Sequence, residues 1–190
     1  MYLQQDVHVI RQRRQRGFTL VEFFVTLCVL AILLSLAIPS FNTLMKNDQQ
    51  WVQQNTLVLS LNAARSEAIK QDVAGGVHVC ASTQGLACDG TSWAQGWIVQ
   101  VGNNTPIQVV GALPPGTTLT EASANLNITF LANGALNSAA LTNPAAPVGF
   151  TMCDSRGAAQ AVYSQVSIMG RVASAPAVGK NLASNNLVCP

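Results

Sequence analysis

The chain reads as an α+β protein in which one long helix packs against a small antiparallel β domain. Three observations predict this. An uncharged apolar run, broken only by Glu22, occupies residues 18–38; an amphipathic pattern continues it to about residue 72; and from Val77 onward short β-prone segments alternate with turn residues. With 190 residues, of which roughly 120 follow the helix, one small globular domain is expected.

Residues 1–17 are polar and basic, and read as a leader. Arg11, Arg13, Arg14 and Arg16 all lie just before the apolar run, so the positive-inside rule holds this end in the cytoplasm and sends the rest across the membrane. The run of 21 residues would span roughly 31 Å as a helix, close to the thickness of bilayer hydrocarbon. Two processing fates are open. A secretory signal would be cut after Ser35, Leu36 and Ala37, whereas a cut at Gly17 would keep the run as an anchor. Glu22 argues for the second, since an acidic side chain in such a helix costs up to about 3 kcal/mol and signal cores rarely carry one.

Beyond Ile38 the helical pattern continues through residues 39–72. Phe41, Leu44, Met45, Trp51, Val52, Val58, Leu61, Ala68 and Ile69 recur among polar residues, which predicts an apolar stripe facing a partner layer. Pro39 should kink the helix or remove one of its hydrogen bonds. Gly75 and Gly76 should end it, so the helix is expected over residues 18–71.

Residues 73–190 form the expected β-rich domain. The segments VHVCA, GWIVQV, PIQVVG, LNITFL, VGFTMC and AVYSQVSIMG read as strands, with DGTS, GNN, PPG, ANG and DSRG as turns. One face of the resulting sheet should cover the helix stripe, with Trp93 and Trp97 in or near that core. Cys28 lies in the apolar run as a small hydrophobe. Cys80, Cys88, Cys153 and Cys189 fall in the β domain, an even number that suits two disulfides in an exported protein. Three pairings are possible. The short separation of Cys80 and Cys88 favours a local loop, leaving Cys153 for Cys189, with stabilisation of about 2.6 and 3.8 kcal/mol by loop entropy.

Several function classes are disfavoured. Without residues 1–17 the chain carries six Lys or Arg against seven Asp or Glu, a net charge of −1, so it offers no broad basic face for nucleic acid. No cysteine pair has metal-finger spacing, and the sole histidine outside the leader is His78, so no metal or cofactor is expected. Asp154, Ser155 and Arg156 could suggest a catalytic cluster, but DSRG has turn composition and no enzyme motif accompanies it.

The stretch RGFTLVEFFVTLCVLAILLSLAIPSF resembles the class III signal and helix of type IV pilins and type II secretion pseudopilins. The match lies in Gly17 before the cut, Phe18 after it, Glu22 fifth in the new chain, and Pro39 at the far end of the apolar segment. NAARSEAIKQ, a Cys-bearing strand and WAQGWIVQV are similar to the FimT, FimU and GspH group of minor pilins and pseudopilins, and SIMGR to its last strand. The resemblance implies a pilin-like fold, cleavage between Gly17 and Phe18 and N-methylation of Phe18 by a prepilin peptidase. Assembly with major and minor pilins through the helix would follow, from an inner-membrane, single-pass precursor. Glu22 lies one helical turn from the new amine of Phe18, so it could pair with that amine or with a neighbouring subunit's.

On this resemblance the chain is expected to be a minor pilin acting in pilus assembly or a priming or tip complex. A GspH-like pseudopilin is the alternative, and a FimT-like DNA-uptake receptor a further one. DNA-binding members would carry a Gly-Arg-x-Arg element where this chain reads Gly170, Arg171, Val172, Ala173, so Arg171 is expected to make at most a weak DNA or subunit contact.

Overall fold

The computed structural model describes residues 17–190, apart from residues 73–74 and 103–105 and the side chain of Pro39. The expected leader therefore lies outside the described residues except for Gly17, as does most of the GNN turn. The chain divides into two compact units, the first ending at Met45 and the second being Lys46–Pro190.

One helix, α1 (Leu20–Gln71, 52 residues), contributes to both. It begins two residues later than expected because Thr19 caps it. The Thr19 hydroxyl accepts the Glu22 amide proton at 3.2 Å, and its carbonyl accepts the helix's opening bond from the Phe23 amide at 3.1 Å. The helix is continuous through Pro39. It stops at Gln71 because Asp72 turns to a φ of 47° while its amide still reaches the Ala68 carbonyl at 3.3 Å. In the first unit every described side chain of the helix is exposed.

In the second unit the described residues form eight strands. They are β1 (Val77–Ala81), β2 (Trp97–Val101), β3 (Pro106–Val110), β4 (Thr118–Glu121), β5 (Asn127–Phe130), β6 (Val148–Cys153), β7 (Val162–Val166) and β8 (Val172–Ser174). They make two antiparallel sheets, ordered β3-β2-β1-β5 and β4-β6-β7-β8, where a single sheet was expected. Strands β4 and β8 escaped the sequence reading. The first is four residues long with three polar positions, and the second has only three residues. The segment AVYSQVSIMG is a strand only to Val166, because residues 167–171 turn the chain back, with Gly170 at a φ of 74°.

Both sheets contribute to one core. Val77, Val79, Trp97, Val99, Ile128 and Phe130 from one sheet meet Leu119, Phe150, Met152, Val162 and Val166 from the other, together with helix residues Leu57, Leu61, Ala64 and Ala68. Trp93 meets Phe150 edge to face at 5.0 Å, and its indole donates to the Asn125 carbonyl at 2.7 Å. The indole of Trp97 donates to Ser60 Oγ at 3.0 Å, so the sheet grips the helix by a buried hydrogen bond as well as by apolar contact.

The buried stripe of the helix is Gln50, Gln54, Leu57, Leu61, Ala64 and Ala68, at alternating spacings of four and three. This corrects the sequence reading, in which Phe41, Leu44, Met45, Trp51, Val52 and Ile69 belonged to it; all six are exposed. The reason is that the helix is apolar on two sides. Its docking side is chosen at residues 50 and 54 by polar groups whose hydrogen bonds lie in the β domain.

The two sides of the helix should separate cleanly on mutation. Leu61→Ala, at a fully buried site, is expected to destabilise the folded domain by about 2–5 kcal/mol, whereas Leu59→Ala, exposed on the adjacent turn, should change it by less than about 0.5 kcal/mol. Urea denaturation followed by tryptophan fluorescence measures both, and equal losses would contradict the assigned stripe.

Candidate functional site

The exposed apolar surface starts with the first part of the helix. Glu22 stands in the first turn, where a negative charge suits the helix dipole, and Phe18 four residues earlier is 81% exposed. The spacing Thr19-x-x-Glu22 is half of a capping box: the hydroxyl-to-amide bond is present. The capping role of Thr19 was missed by sequence reasoning, and that spacing was its signal. Cys28 is exposed on the same segment. Phe18, Glu22 and Pro39 thus lie in the first unit, whereas the four disulfide cysteines and Arg171 lie in the second.

Besides the Trp97–Ser60 bond, the second unit holds its part of the helix through polar contacts at three further places. The turn after β6 supplies the largest. Arg156 pairs with Asp154 at 2.7 Å, both side chains being largely buried, and its guanidinium reaches Asn47 Oδ1 at 2.6 Å and Gln50 Oε1 at 2.9 Å. Beside it Lys46 Nζ donates to Ser155 Oγ at 2.8 Å. DSRG is therefore a turn, as its composition suggests, and also the dock that fixes where the helix enters the domain.

Halfway along, Gln54 Nε2 donates to the Tyr163 carbonyl and to Ser164 Oγ, each at 3.0 Å. Near the far end Arg65 donates to the Gly134 carbonyl at 3.0 Å and the Met169 carbonyl at 3.3 Å. Both turns must approach closely for this. A side chain at Gly170 would collide with the Gly134 carbonyl, so that position needs glycine for space as well as for its φ.

Burial raises the pKa of Asp154, but the hydrogen bonds and charge of Arg156, with a smaller contribution from Lys46, outweigh it and hold the carboxyl below its usual value. The contact is then strongest when Asp154 is ionised. Its contribution is complete above the ordinary carboxylate pKa and is lost as pH falls through the lowered value in the folded state.

The cysteines are joined as Cys80 to Cys88 and Cys153 to Cys189, with Cα separations of 5.4 and 6.0 Å. The first closes a loop braced by Asp89 just beyond it, which accepts the Thr83 amide at 2.9 Å and the Thr83 hydroxyl at 2.8 Å. The second ties the last residues to the end of β6, where Ala161 and Leu187 form a small separate cluster with Cys153. Arg171 is exposed in the turn between β7 and β8, its amide donating to Ser167 Oγ at 3.1 Å. Among the described residues no group of His, Cys, Asp and Glu could hold a metal ion.

Residues 53–170 match the model of a family described as type II transport protein GspH. Among solved structures, two crystal forms of the type IV minor pilin FimU of Pseudomonas aeruginosa, strain PAO1, are similar. One shares 23% identity over 69% of this chain and 91% of that one, with a TM-score of 0.55; the other shares 25% over 64% and 89%, with a TM-score of 0.51. A comparison with curated proteins finds no match.

Removing the guanidinium should expose how much the dock contributes. Arg156→Ala is expected to destabilise the domain by about 3 kcal/mol, because Asp154 is left buried and unpaired. Asp154→Asn should remove the part of the acid sensitivity that sets in as pH falls below about 4. Thermal melts of the three proteins from pH 3 to 7 test this, and parallel pH profiles for wild type and Asp154→Asn would contradict the assignment.

Proposed function

The chain belongs to the family of the type II transport protein GspH, and on that footing we propose that it is a minor pilin of a type IV pilus. Its role would be in pilus assembly, within a priming or tip complex. The observation that carries this reading is the helix segment from Leu20 to Met45. It is apolar enough to cross a membrane, its described side chains are all exposed, and it begins with a capped turn bearing Glu22. Among the described residues of its own unit such a segment has no apolar partner, so lipid before assembly and other subunits' helices afterwards supply one.

On this reading a prepilin peptidase cuts between Gly17 and Phe18 and the new amine is methylated. The positive amine then meets Glu22 of its own or an adjacent subunit, and the capped turn presents that carboxylate. The expense of a charge at low dielectric becomes a register signal, because a misplaced subunit leaves it unpaired. Arg11, Arg13, Arg14 and Arg16 ahead of the helix keep its start cytoplasmic, with the β domain on the outer side of the inner membrane.

A pseudopilin of a type II secretion system is the second reading, favoured by the family match itself. Both are structural roles, and no catalytic step is assigned. DNA uptake is not the function we assign. Of the basic residues after Lys70, Arg156 is paired with Asp154, which leaves Arg171 and Lys180. Two phosphate contacts support only weak binding with a shallow salt dependence.

Filaments sheared from cells should contain this chain at low abundance, beginning at methylated Phe18. Glu22→Ala should leave cleavage and membrane insertion intact while lowering recovery in the sheared fraction several-fold. Quantitative mass spectrometry of both fractions decides this; undiminished recovery of the variant would remove the assembly role of the carboxylate, and a mature start at Ile38 would make the segment an ordinary signal.

A further inference from the structure

Strand β3 is one edge of its sheet, and its neighbours fix which way its backbone groups point. The Ser82 amide donates to the Gly96 carbonyl at 3.0 Å and the Gly102 amide to the Gly76 carbonyl at 3.3 Å, so the even-numbered residues of β2 turn toward β1. Trp97 and Val99 therefore turn toward β3, where they pair with Val110 and Gln108. By the same alternation Val109 and Gly111 direct their amides and carbonyls off the edge. Among the described residues nothing meets them there. The opposite edge, β5, is covered: the Asn137 amide donates to the Thr129 carbonyl and the Leu131 amide to the Ala135 carbonyl, each at 2.8 Å.

Open sheet edges are normally blunted by charge, proline or a bulge. In β3 the last two occur only in the first half, where Pro106 lacks an amide and Ile107 is the extra residue of a bulge opposite Val99 and Gln100. The second half has neither. Charge is missing from the whole region, since no Asp, Glu, Lys or Arg occurs between Asp89 and Glu121. The outer face is apolar as well. Val109 is 55% exposed, Gly85 abuts it from the neighbouring loop, and Leu86 beside that glycine is 72% exposed.

The geometry points to a second copy of this chain as the partner of this edge, paired antiparallel about a two-fold axis at Val110. In that register Val109 of each copy exchanges both hydrogen bonds with Gly111 of the other, so every outward amide and carbonyl of the segment is met by its opposite kind. Val110 then faces its own counterpart in a non-hydrogen-bonded position. An axis at Val109 satisfies fewer groups, because Gly111 would lie opposite the bulged Ile107. Neutrality suits a copy in particular: symmetric pairing sets like side chains close together, and charges of one sign would repel there. This contact alone falls short of the roughly 1,000 Å² that a free-standing dimer needs, so it forms between copies concentrated on one bilayer. The inference rests on the apolar helix segment as a membrane anchor and not on a pilus or secretion role.

The test uses the full chain carrying Cys28→Ser, reconstituted in phosphatidylcholine–phosphatidylglycerol vesicles so that copies share a bilayer, and disulfide cross-linking by copper phenanthroline. Non-hydrogen-bonded partners have Cα atoms about 4.5 Å apart, within disulfide reach, so Val110→Cys should give a covalent dimer that a reductant reverses. Ile107→Cys on the same strand would lie roughly 20 Å from its counterpart and should give at least tenfold less dimer. Adding Val109→Pro to Val110→Cys should cause a similar loss, since proline is tolerated where an edge amide faces outward, and circular dichroism checks that the chain is folded. Should the half-buried Val110→Cys not fold, a mixture of Val109→Cys and Gly111→Cys chains, both substituted at exposed positions, decides the matter by cross-linking with each other and not with themselves. Absence of dimer, as much dimer from Ile107→Cys, or dimer unchanged by Val109→Pro in a folded chain would overturn the proposal.

Discussion

The buried stripe of Leu57, Leu61, Ala64 and Ala68 against the two sheets is the contact on which the rest of the domain depends. Without it each sheet would leave an apolar face in water, and the second half of the helix would be an isolated amphipathic segment of marginal stability. The stripe uses small residues at one end. Ala64 and Ala68 let the chain approach closely there, while Leu57 and Leu61 fill the wider part between Trp97 and the strands of the second sheet.

Apolar contact alone does not say which side of this helix faces the domain, because Trp51, Val52, Leu59 and Ile69 make its outer side apolar as well. Polar contacts make that choice. Arg156 holds residues 47 and 50, Gln54 bonds a strand carbonyl, Trp97 bonds Ser60, and Arg65 gathers two turns. Rotating the helix would strand several of these groups without partners, a penalty comparable to that of losing a core side chain. The outer apolar side is consequently left exposed at Trp51, Val52 and Leu59.

Much of this was legible from the residues. The helix, the β-rich domain, six strand positions and the core tryptophans follow from periodicity and turn composition, and the short separation of Cys80 from Cys88 points to the pairing found. The facing of the helix was not legible, because its polar determinants act through Arg156, more than 100 residues away in sequence and inside what reads as an ordinary turn. The division into two sheets was hidden by β4, whose TLTE carries a glutamate that becomes buried only through its hydrogen bonds to the following loop. At the helix start the spacing of Thr19 and Glu22 is visible in the sequence, but the cap itself uses the Glu22 amide and not its charge.

The central claim is that the apolar first half of the helix is covered from outside, by lipid or by other subunits. Cys28 tests it directly: the other four cysteines are in disulfides, which leaves this thiol as the reactive one, exposed when the chain stands alone. Labelling with a charged, membrane-impermeant maleimide should fail in intact cells and in sheared filaments and become complete once the protein is denatured in detergent. Rapid labelling of Cys28 in either native preparation would show that water reaches this face, and would contradict the account.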